Sequence, residues 1–376
     1  MGYVRLEEIC NLNMGQSPDS NSYNQEGKGL PFFQGNADFG ELYPTVRVWC
    51  SKPVKVVNEG TLLISVRAPI GALNFAAECS CIGRGLAGIT AREGYELKYI
   101  YYALKYKGKE LNDKGTGSTF KAISKSSLGE TLVRDISIEE QKECVKKLDL
   151  IFELILKEKE QIGQLDKLVK SKFVEMFGDV ICNSKNWPAR TLDSISSSRL
   201  GKMLDTKKDT GKISFPYLAN FNVQWFEFDL SDLHEMDFDM AEREEFSLRD
   251  GDLLITEGGE VGRCAIWHNE VKDCYFQKAL HRVRCNKDII LPEYLAWWFR
   301  FHSDFNGFED IVGGKATIAH LPGVKLKKLQ IVVPDIDVQK EFLEFWLATD
   351  KLKVVLQKQI EETNTLFDSL MQQYFS

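Results

Sequence analysis

Long apolar runs are absent from this sequence of 376 residues. A helix needs about 20 mostly apolar residues to cross a bilayer, and no uncharged run in the chain reaches that length. The first residues, MGYVRLEEICNLNMGQSP, also lack the apolar core of a secretory signal. We therefore expect no membrane span and a cytoplasmic protein.

Cysteine and histidine occur without the spacings that a metal site or a disulfide framework requires. The nine cysteines are an odd number and are scattered, and Cys79 and Cys81 form the only close pair. No CxxC segment accompanies that pair, and the five histidines show no HExxH or other ligand spacing. Since disulfides are rare in reducing compartments, the pattern favours the cytosol and predicts no metal site.

Catalytic signatures are missing as well. The chain contains no GxSxG nucleophile turn, no GxxxxGK[ST] phosphate loop and no GxGxxG segment before a helix. The NPPY-type and FxGxG segments of a nucleobase-amino methyltransferase are also absent. Pro18-Asp19 and Glu26-Gly27-Lys28 have the letters of a metal-dependent nuclease, but they lie in a polar loop without the apolar frame that such a site needs. We expect no catalytic centre in this chain.

Charge is unevenly distributed. The net charge is -7, so the surface as a whole is not designed to attract polyanions. Residues 227–245 are dense in Asp and Glu, and only Arg243 opposes them. In contrast, residues 114–125 and 315–328 are basic, and both stretches occur shortly before a long helical pattern.

The longest regular pattern runs from Ile138 to Gly178. Apolar residues recur there at alternating spacings of three and four, no proline interrupts the run, and Gly163 is its only internal glycine. This stripe predicts one long amphipathic helix. At about 1.5 Å per residue the helix would extend on the order of 60 Å, so its apolar stripe needs a partner.

A second helical pattern spans residues 336–376 and is related to the first by an internal repeat. Gln141 falls on Gln339 without gaps, and GTLLIS at residue 60 matches GDLLIT at residue 251. Two copies are too few for a solenoid, so the chain is predicted to be a tandem duplication with pseudo-two-fold symmetry. The residues expected at the interface between the helices, or with other subunits, are Leu148, Phe152, Ile155, Ile162, Leu352 and Ile360.

Each copy begins with a head of short strands and few helices, which predicts an α+β fold of two similar globular domains, each followed by a long helix. Strands are expected at Val46–Trp49 and Thr61–Val66, among others, and helices at Tyr95–Lys109 and Pro292–His302. The predicted divisions are a first head at 1–137, a first helix at 138–178, a second head at 179–335 and a second helix at 336–376.

Polar and basic residues recur in the predicted loops of both heads. Arg and Lys suit phosphates and guanine edges, and Asn and Gln suit adenine edges. Solvated loop polarity would explain any one of them alone, but recurrence at matched positions favours a surface with a function. The predicted DNA-binding residues are Gln34, Asn36, Arg67, Arg84, Ser118, Thr119 and Lys121 in the first head and Asn220, Asn222, Arg263, Lys278, Lys315, Thr317 and His320 in the second.

Paired motifs extend over nearly the whole chain. They are the leaders RLEEICNLNMGQSP and RTLDSISSSRLGK, the segments GTLLISVRAPIG and GDLLITEGGEVG, and the helices that end in KFVEMFGD and LMQQYFS. Together with the duplication, they resemble the specificity (S) subunits of type I restriction-modification enzymes. The resemblance implies a non-catalytic subunit whose heads are target-recognition domains, each for one half of a bipartite, asymmetric DNA target.

The resemblance also implies partners. The two helices would pack as an antiparallel coiled coil that sets the half-site distance and docks two methyltransferase (M) subunits. S-adenosylmethionine, ATP and Mg would be bound by the M subunits and the restriction/motor (R) subunits, and no cofactor by this chain. Two alternatives stay open: the recognition subunit of a type II methylation or restriction system, and a coiled-coil scaffold or adaptor protein that does not bind DNA.

Overall fold

The computed structural model describes residues 2–116, 121–204, 214–308 and 320–376. The chain divides into two compact units: one comprises Met1–Glu160 and Leu356–Ser376, and the other comprises Gln161–Val355. Each unit therefore contains one head together with one part of each long helix.

The described residues of the first head form three small sheets. The strand orders are β1-β11, β2-β10-β7-β8 and β3-β5-β4-β9-β6, and β4 pairs with β9 in parallel. The described strands are β1 (Gly2–Arg5), β2 (Cys10–Met14), β3 (Tyr23–Asn24), β4 (Leu30–Phe33), β5 (Trp49–Cys50), β6 (Val56–Val57), β7 (Leu62–Ser65), β8 (Leu73–Phe75), β9 (Ser80–Ile82), β10 (Leu86–Ala91) and β11 (Leu132–Asp135).

The second head repeats this plan. Its sheets are β12-β20, β13-β19-β16-β17 and β15-β14-β18, and β14 pairs with β18 in parallel. The described strands are β12 (Ala189–Thr191), β13 (Ser196–Leu200), β14 (Ser214–Leu218), β15 (His234–Asp237), β16 (Leu253–Thr256), β17 (Cys264–Ile266), β18 (Tyr275–Phe276), β19 (Leu280–Cys285) and β20 (Gln330–Val332).

Short helices cover the sheets of both heads. Leu97–Tyr106 buries the consecutive residues Tyr99 to Leu104 in the first head, and Pro292–Asp304, with proline in its first turn, is buried on nearly all sides in the second. The other short α-helices of the described residues are Leu6–Ile9, Gly108–Asp113, Lys125–Gly129, Leu192–Ile195, Met240–Glu245 and Gly323–Lys327. None of the described helices combines the length and low charge that a bilayer span requires.

The two long helices are Ile138–Phe177 and Ile336–Phe375. Within the first unit, the Phe152 and Phe367 ring centroids lie 6.2 Å apart, and Thr363 Oγ1 lies 3.4 Å from Glu158 Oε1. Within the second unit, the Phe173 and Phe342 centroids lie 5.4 Å apart. Lys353 also donates to Asp166 in the second unit. In each unit, a residue further along the first long helix thus contacts a residue further back along the second.

Most of the predicted interface residues on the two long helices have buried or half-buried side chains. Leu148, Phe152, Ile155 and Ile360 are buried, and Ile162 is half-buried. Leu352 is 56% exposed, so it does not lie in the packing between the helices, and its contact with another subunit stays a prediction. Its repeat partner Leu154 is exposed as well. The matched leucines therefore lie on the outer face of each helix rather than in the apolar stripe.

A buried glutamine ties each head to the start of its long helix. Gln141 accepts from the Glu96 N–H at 2.9 Å and donates to the Ile136 carbonyl at 2.9 Å. Its repeat partner Gln339 accepts from the Leu291 N–H at 2.9 Å and donates to two backbone carbonyls, at 2.7 and 3.0 Å. In both units the amide thus satisfies the first N–H group of a head helix, which has no partner within that helix.

Candidate nucleic-acid interface

A glycine follows the first strand of the four-stranded sheet in each head. Gly15 follows β2 and donates its N–H to the first residue of β10 at 2.9 Å; Gly201 follows β13 and donates to the first residue of β19 at 3.0 Å. A Cβ on either glycine would overlap a backbone oxygen, that of Gly83 in the first head and that of Gln277 in the second. Only glycine allows these loops to approach so closely.

Backbone hydrogen bonds then gather the loops of the first head at one edge. The Gly85 N–H donates to the Gln34 carbonyl at 3.1 Å, and the Gly85 carbonyl accepts from Val66 at 2.9 Å. The Val66 carbonyl in turn accepts from Ile123 at 2.9 Å. The exposed side chains brought together by this chain of bonds are Gln34, Arg67, Arg84 and Lys121. Asn36, in the next turn, is half-buried.

The second head repeats two of these bonds. The Glu257 N–H donates to the Ala279 carbonyl at 2.9 Å, and the Glu257 carbonyl accepts from Leu321 at 2.7 Å. A bridge joins Gly258 and His320, as another joins Arg67 and Ala122 in the first head. The exposed predicted residues in this cluster are Lys278 and His320, and Asn220 is half-buried.

A hydroxyl group holds the loop after the central strand in both heads. Ser65 Oγ donates to the Pro69 carbonyl at 2.7 Å and accepts from the Ala72 N–H at 2.9 Å. Thr256 Oγ1 donates to the Glu260 carbonyl at 2.6 Å. Sequence analysis did not single out these two residues, although they end the matched segments GTLLIS and GDLLIT.

His281 is a second positioning residue that the sequence did not reveal. Its side chain is buried, and its Nε2 donates to the Leu321 carbonyl at 2.9 Å. Burial lowers the pKa of His281 below its usual value, so the imidazole is neutral near pH 7. It holds the segment that follows His320 against β19.

Two predicted contact residues of the second head are engaged inside the protein. Asn222 is only 1% exposed, and its amide makes three hydrogen bonds to backbone groups. A base contact by Asn222 is therefore not supported; its polarity serves the turn. Arg263 is half-buried and donates to the Asn220 carbonyl at 3.0 Å. Ser118, Thr119, Lys315 and Thr317 lie outside the described residues.

The two surfaces differ in charge. Within the described ranges, no carboxylate forms an ion pair with Arg67, Arg84 or Lys121. In the second head, Lys202 next to the cluster pairs with Glu242 at 2.6 Å, and Arg263 lies 3.5 Å from Glu260. The first surface is thus the more basic one. Described residues include no group of three or more His, Cys, Asp or Glu side chains able to hold a metal ion.

Comparison with known proteins places this architecture. The family described as "Type I restriction modification DNA specificity domain" matches residues 1–166 and 184–363. The putative type I restriction enzyme MjaX specificity subunit of Methanocaldococcus jannaschii is 44% identical over 167 residues, which cover 43% of this chain and 39% of that protein. The EcoBI specificity subunit of Escherichia coli is 19% identical over 407 residues, covering 99% of this chain and 85% of that protein.

A solved structure shares the whole fold. The crystal structure of the type I restriction-modification system S subunit from M. genitalium matches with a TM-score of 0.57 at 15% identity, covering 100% of this chain and 96% of that one. At this identity the likeness concerns the fold alone. The two-domain α+β fold and the resemblance seen in the motifs are both confirmed.

Proposed function

Because this chain belongs to the type I restriction-modification DNA specificity family, we propose that it is the non-catalytic sequence-recognition subunit of such a complex. Each head reads one half of a bipartite, asymmetric target in the major groove. The partners are double-stranded DNA, two methyltransferase subunits and restriction/motor subunits. S-adenosylmethionine, ATP and Mg belong to those partners, and the complex works in the cytoplasm.

One observation carries this proposal. The same backbone bonds gather equivalent loops in both heads, yet the exposed side chains on those loops differ. A repeated frame that carries different polar side chains suits two sites that read different base sequences. Loops held by a rigid scaffold are also where binding residues are usually found.

The long helices supply the spacer in this proposal. They pair as an antiparallel coiled coil, set the distance between half-sites and dock the methyltransferase subunits. Two contacts in each unit support an antiparallel direction. They are Phe152 with Phe367 and Glu158 with Thr363 in the first unit, and Phe173 with Phe342 and Asp166 with Lys353 in the second. Half-sites on one face of DNA would then lie roughly one helical turn apart, about 34 Å.

A methylome tests the proposal. The chain would be co-expressed with the methyltransferase subunit of its system in a host without adenine methylation, and modified adenines would be mapped by single-molecule sequencing. We expect one split motif, with two short defined halves around a fixed unspecified spacer. A stable complex of the two proteins that produces no new methylation would contradict the proposal and favour a scaffold.

A further inference from the structure

The turn that follows the parallel strand has the same backbone in both heads. Residues Asn36–Asp38 and Asn220–Asn222 each form one turn of 3-10 helix. The carbonyl of the third turn residue accepts an N–H from the returning chain: Thr45 donates to Asp38 at 2.8 Å, and Asp229 donates to Asn222 at 2.8 Å. The middle residues, Ala37 and Phe221, therefore occupy equivalent places.

These middle residues differ more than any other part of the turn. Ala37 is exposed and small, whereas Phe221 is a large apolar side chain that is 45% exposed. The Phe221 ring centroid lies 5.3 Å from that of His234, whose side chain is also exposed. The second head thus presents an aromatic surface where the first presents a methyl group.

The turn beneath Phe221 is firmly held. Asn222 Oδ1 accepts from the Ala219 N–H at 2.8 Å, and its Nδ2 donates to the Asp229 and Asp232 carbonyls at 2.8 and 2.9 Å. The Phe221 carbonyl accepts from Gln224 Nε2 at 2.9 Å. A ring on an ordered turn loses little conformational entropy when it binds a partner.

The same turn adjoins the recognition loops. The Asn220 carbonyl accepts from Arg263 at 3.0 Å, and Asn220 Nδ2 lies 3.2 Å from the position that a Cβ on Gly259 would take. Gly258, the preceding residue, is bridged to His320. Phe221 therefore stands beside the loop that lies next to Lys278 in the second head, rather than on a remote surface.

We propose that Phe221 is a specificity-determining residue that contacts a thymine 5-methyl group in the half-site read by the second head. This inference rests on the proposed function. The thymine methyl is the apolar group that base pairs present in the major groove, and side chains such as Phe contact it there. In the first head Ala37 takes this place, and its single methyl group offers much less apolar surface than the Phe221 ring.

Methyl deletion in the DNA tests the contact directly. Affinity of the assembled methyltransferase complex would be measured on duplexes in which each thymine of the second half-site is replaced, one at a time, by deoxyuridine. For the wild-type chain we expect one position to lose affinity about 4-fold, the size expected when one methyl group leaves an apolar contact. With Phe221→Ala, affinity for the thymine duplex should fall, and that position should become insensitive to deoxyuridine.

Two controls make the result specific. Met240→Ala removes a side chain of the same head that is 80% exposed and lies on the helix Met240–Glu245, and it should leave the deoxyuridine profile unchanged. Phe221→Leu should restore part of the sensitivity to the methyl group. Thermal unfolding of each variant would verify that the fold is kept.

Three results would overturn the inference. They are a second half-site without thymine, a wild-type profile without a sensitive position, and equal methyl sensitivity in wild type and Phe221→Ala. Each of these leaves split-motif methylation intact. A chain that supports no methylation at all would instead remove the proposed function, so the two failures are distinguishable.

Discussion

The two heads share a backbone frame and differ in what they expose. In both, a glycine permits close approach of two loops, a hydroxyl closes the next loop, and the same carbonyl and N–H pairs join the recognition segments. On that frame the first head carries Arg67 where the second has Gly258, and Ala37 where the second has Phe221. The buried bonds restrict residue type, whereas the exposed positions do not.

The third residue of the 3-10 turn is Asp38 in the first head and Asn222 in the second, and the two side chains stabilise the turn through different hydrogen bonds. In the first head the Asp38 carboxylate accepts from Arg47 Nε at 2.7 Å. In the second head the buried amide of Asn222 bonds backbone groups instead. Both arrangements hold the turn, but only the second removes the side chain from the surface completely. A sequence match alone therefore does not show which of two matched polar residues can contact DNA.

The largest effect is expected where the heads agree, at the buried glutamines. Gln339→Leu leaves one N–H and two carbonyls without partners, which should destabilise the second unit by about 3 to 5 kcal/mol. Gln141→Leu leaves one of each and should cost the first unit about 2 to 4 kcal/mol. Urea unfolding followed by tryptophan fluorescence measures the second unit, which contains every tryptophan except Trp49.

The control for this prediction is built into the repeat. Gln141→Leu should leave the midpoint of the tryptophan transition nearly unchanged, and Gln339→Leu should lower it. Equal shifts for the two variants would contradict the prediction, because they would show that the two units unfold together.

A second difference between the units is their response to acid. Every histidine lies in the second unit. Burial lowers the pKa of His302 from 6.5 to about 4, although its bond to the Trp298 carbonyl opposes the shift. Between pH 4 and pH 6.5 the imidazole of His302 is therefore protonated in the unfolded chain and neutral in the folded chain. Stability from this source is therefore complete above pH 6.5 and falls as pH drops towards 4, by about 3 kcal/mol.

Replacement of the imidazole isolates this contribution. His302→Gln keeps a donor for the Trp298 carbonyl but does not titrate, so the tryptophan transition should depend less on pH between 4 and 6.5. Carboxylates titrate in both variants and cancel in the comparison. An identical pH dependence in wild type and His302→Gln would contradict the assignment.

The smallest effect concerns the exposed cations. Arg84 and Lys278 occupy equivalent places, so Arg84→Ala and Lys278→Ala should each reduce the slope of log affinity against log salt concentration by about 0.9. Arg67→Ala should reduce the slope by a similar amount. The second head offers no matching variant, because Gly258 takes the place of Arg67. Binding of target DNA by the assembled complex between 50 and 200 mM salt, in the range where such slopes are about linear, measures this. Lys272→Ala, on an exposed part of the second head, serves as the control, and an unchanged slope for Arg84→Ala would remove that loop from the phosphates.

The fold was predictable where a pattern repeats along the chain. The apolar stripe starts at Ile138, where the first long helix begins, and the strand expected at Thr61–Val66 is observed at Leu62–Ser65. The expectation of a strand at Val46–Trp49 was wrong in most of its length, because the regular strand there is Trp49–Cys50. Val46 and Val48 pack against apolar clusters of the head, and the Val48 carbonyl accepts one hydrogen bond from Phe32 at 2.8 Å without extending the strand. β-branched composition alone was therefore misleading.

The candidate site was predictable in its location more than in its residues. Gln34, Arg67, Arg84 and Lys121 do come together, because backbone hydrogen bonds join the loops that carry them. Asn222 and Arg263 also belong to the predicted polar and basic set, yet their side chains form hydrogen bonds with the backbone of the loops. Phe221 was missed because the predicted DNA-binding set contained only polar and basic residue types. Its equivalence with Ala37 follows from the two 3-10 turns and not from the sequence match of the preceding strands.

The sequence by itself determined the duplication, the α+β heads, the long helices and the family, since these follow from periodicity and from motifs that are local in the chain. Only the tertiary structure decided which matched residues face solvent. Burial and hydrogen-bond partners depend on segments far apart in sequence, such as Asn222 with Asp232, or His281 with Leu321. A polar side chain becomes a support or a contact according to those partners, and no local pattern encodes them.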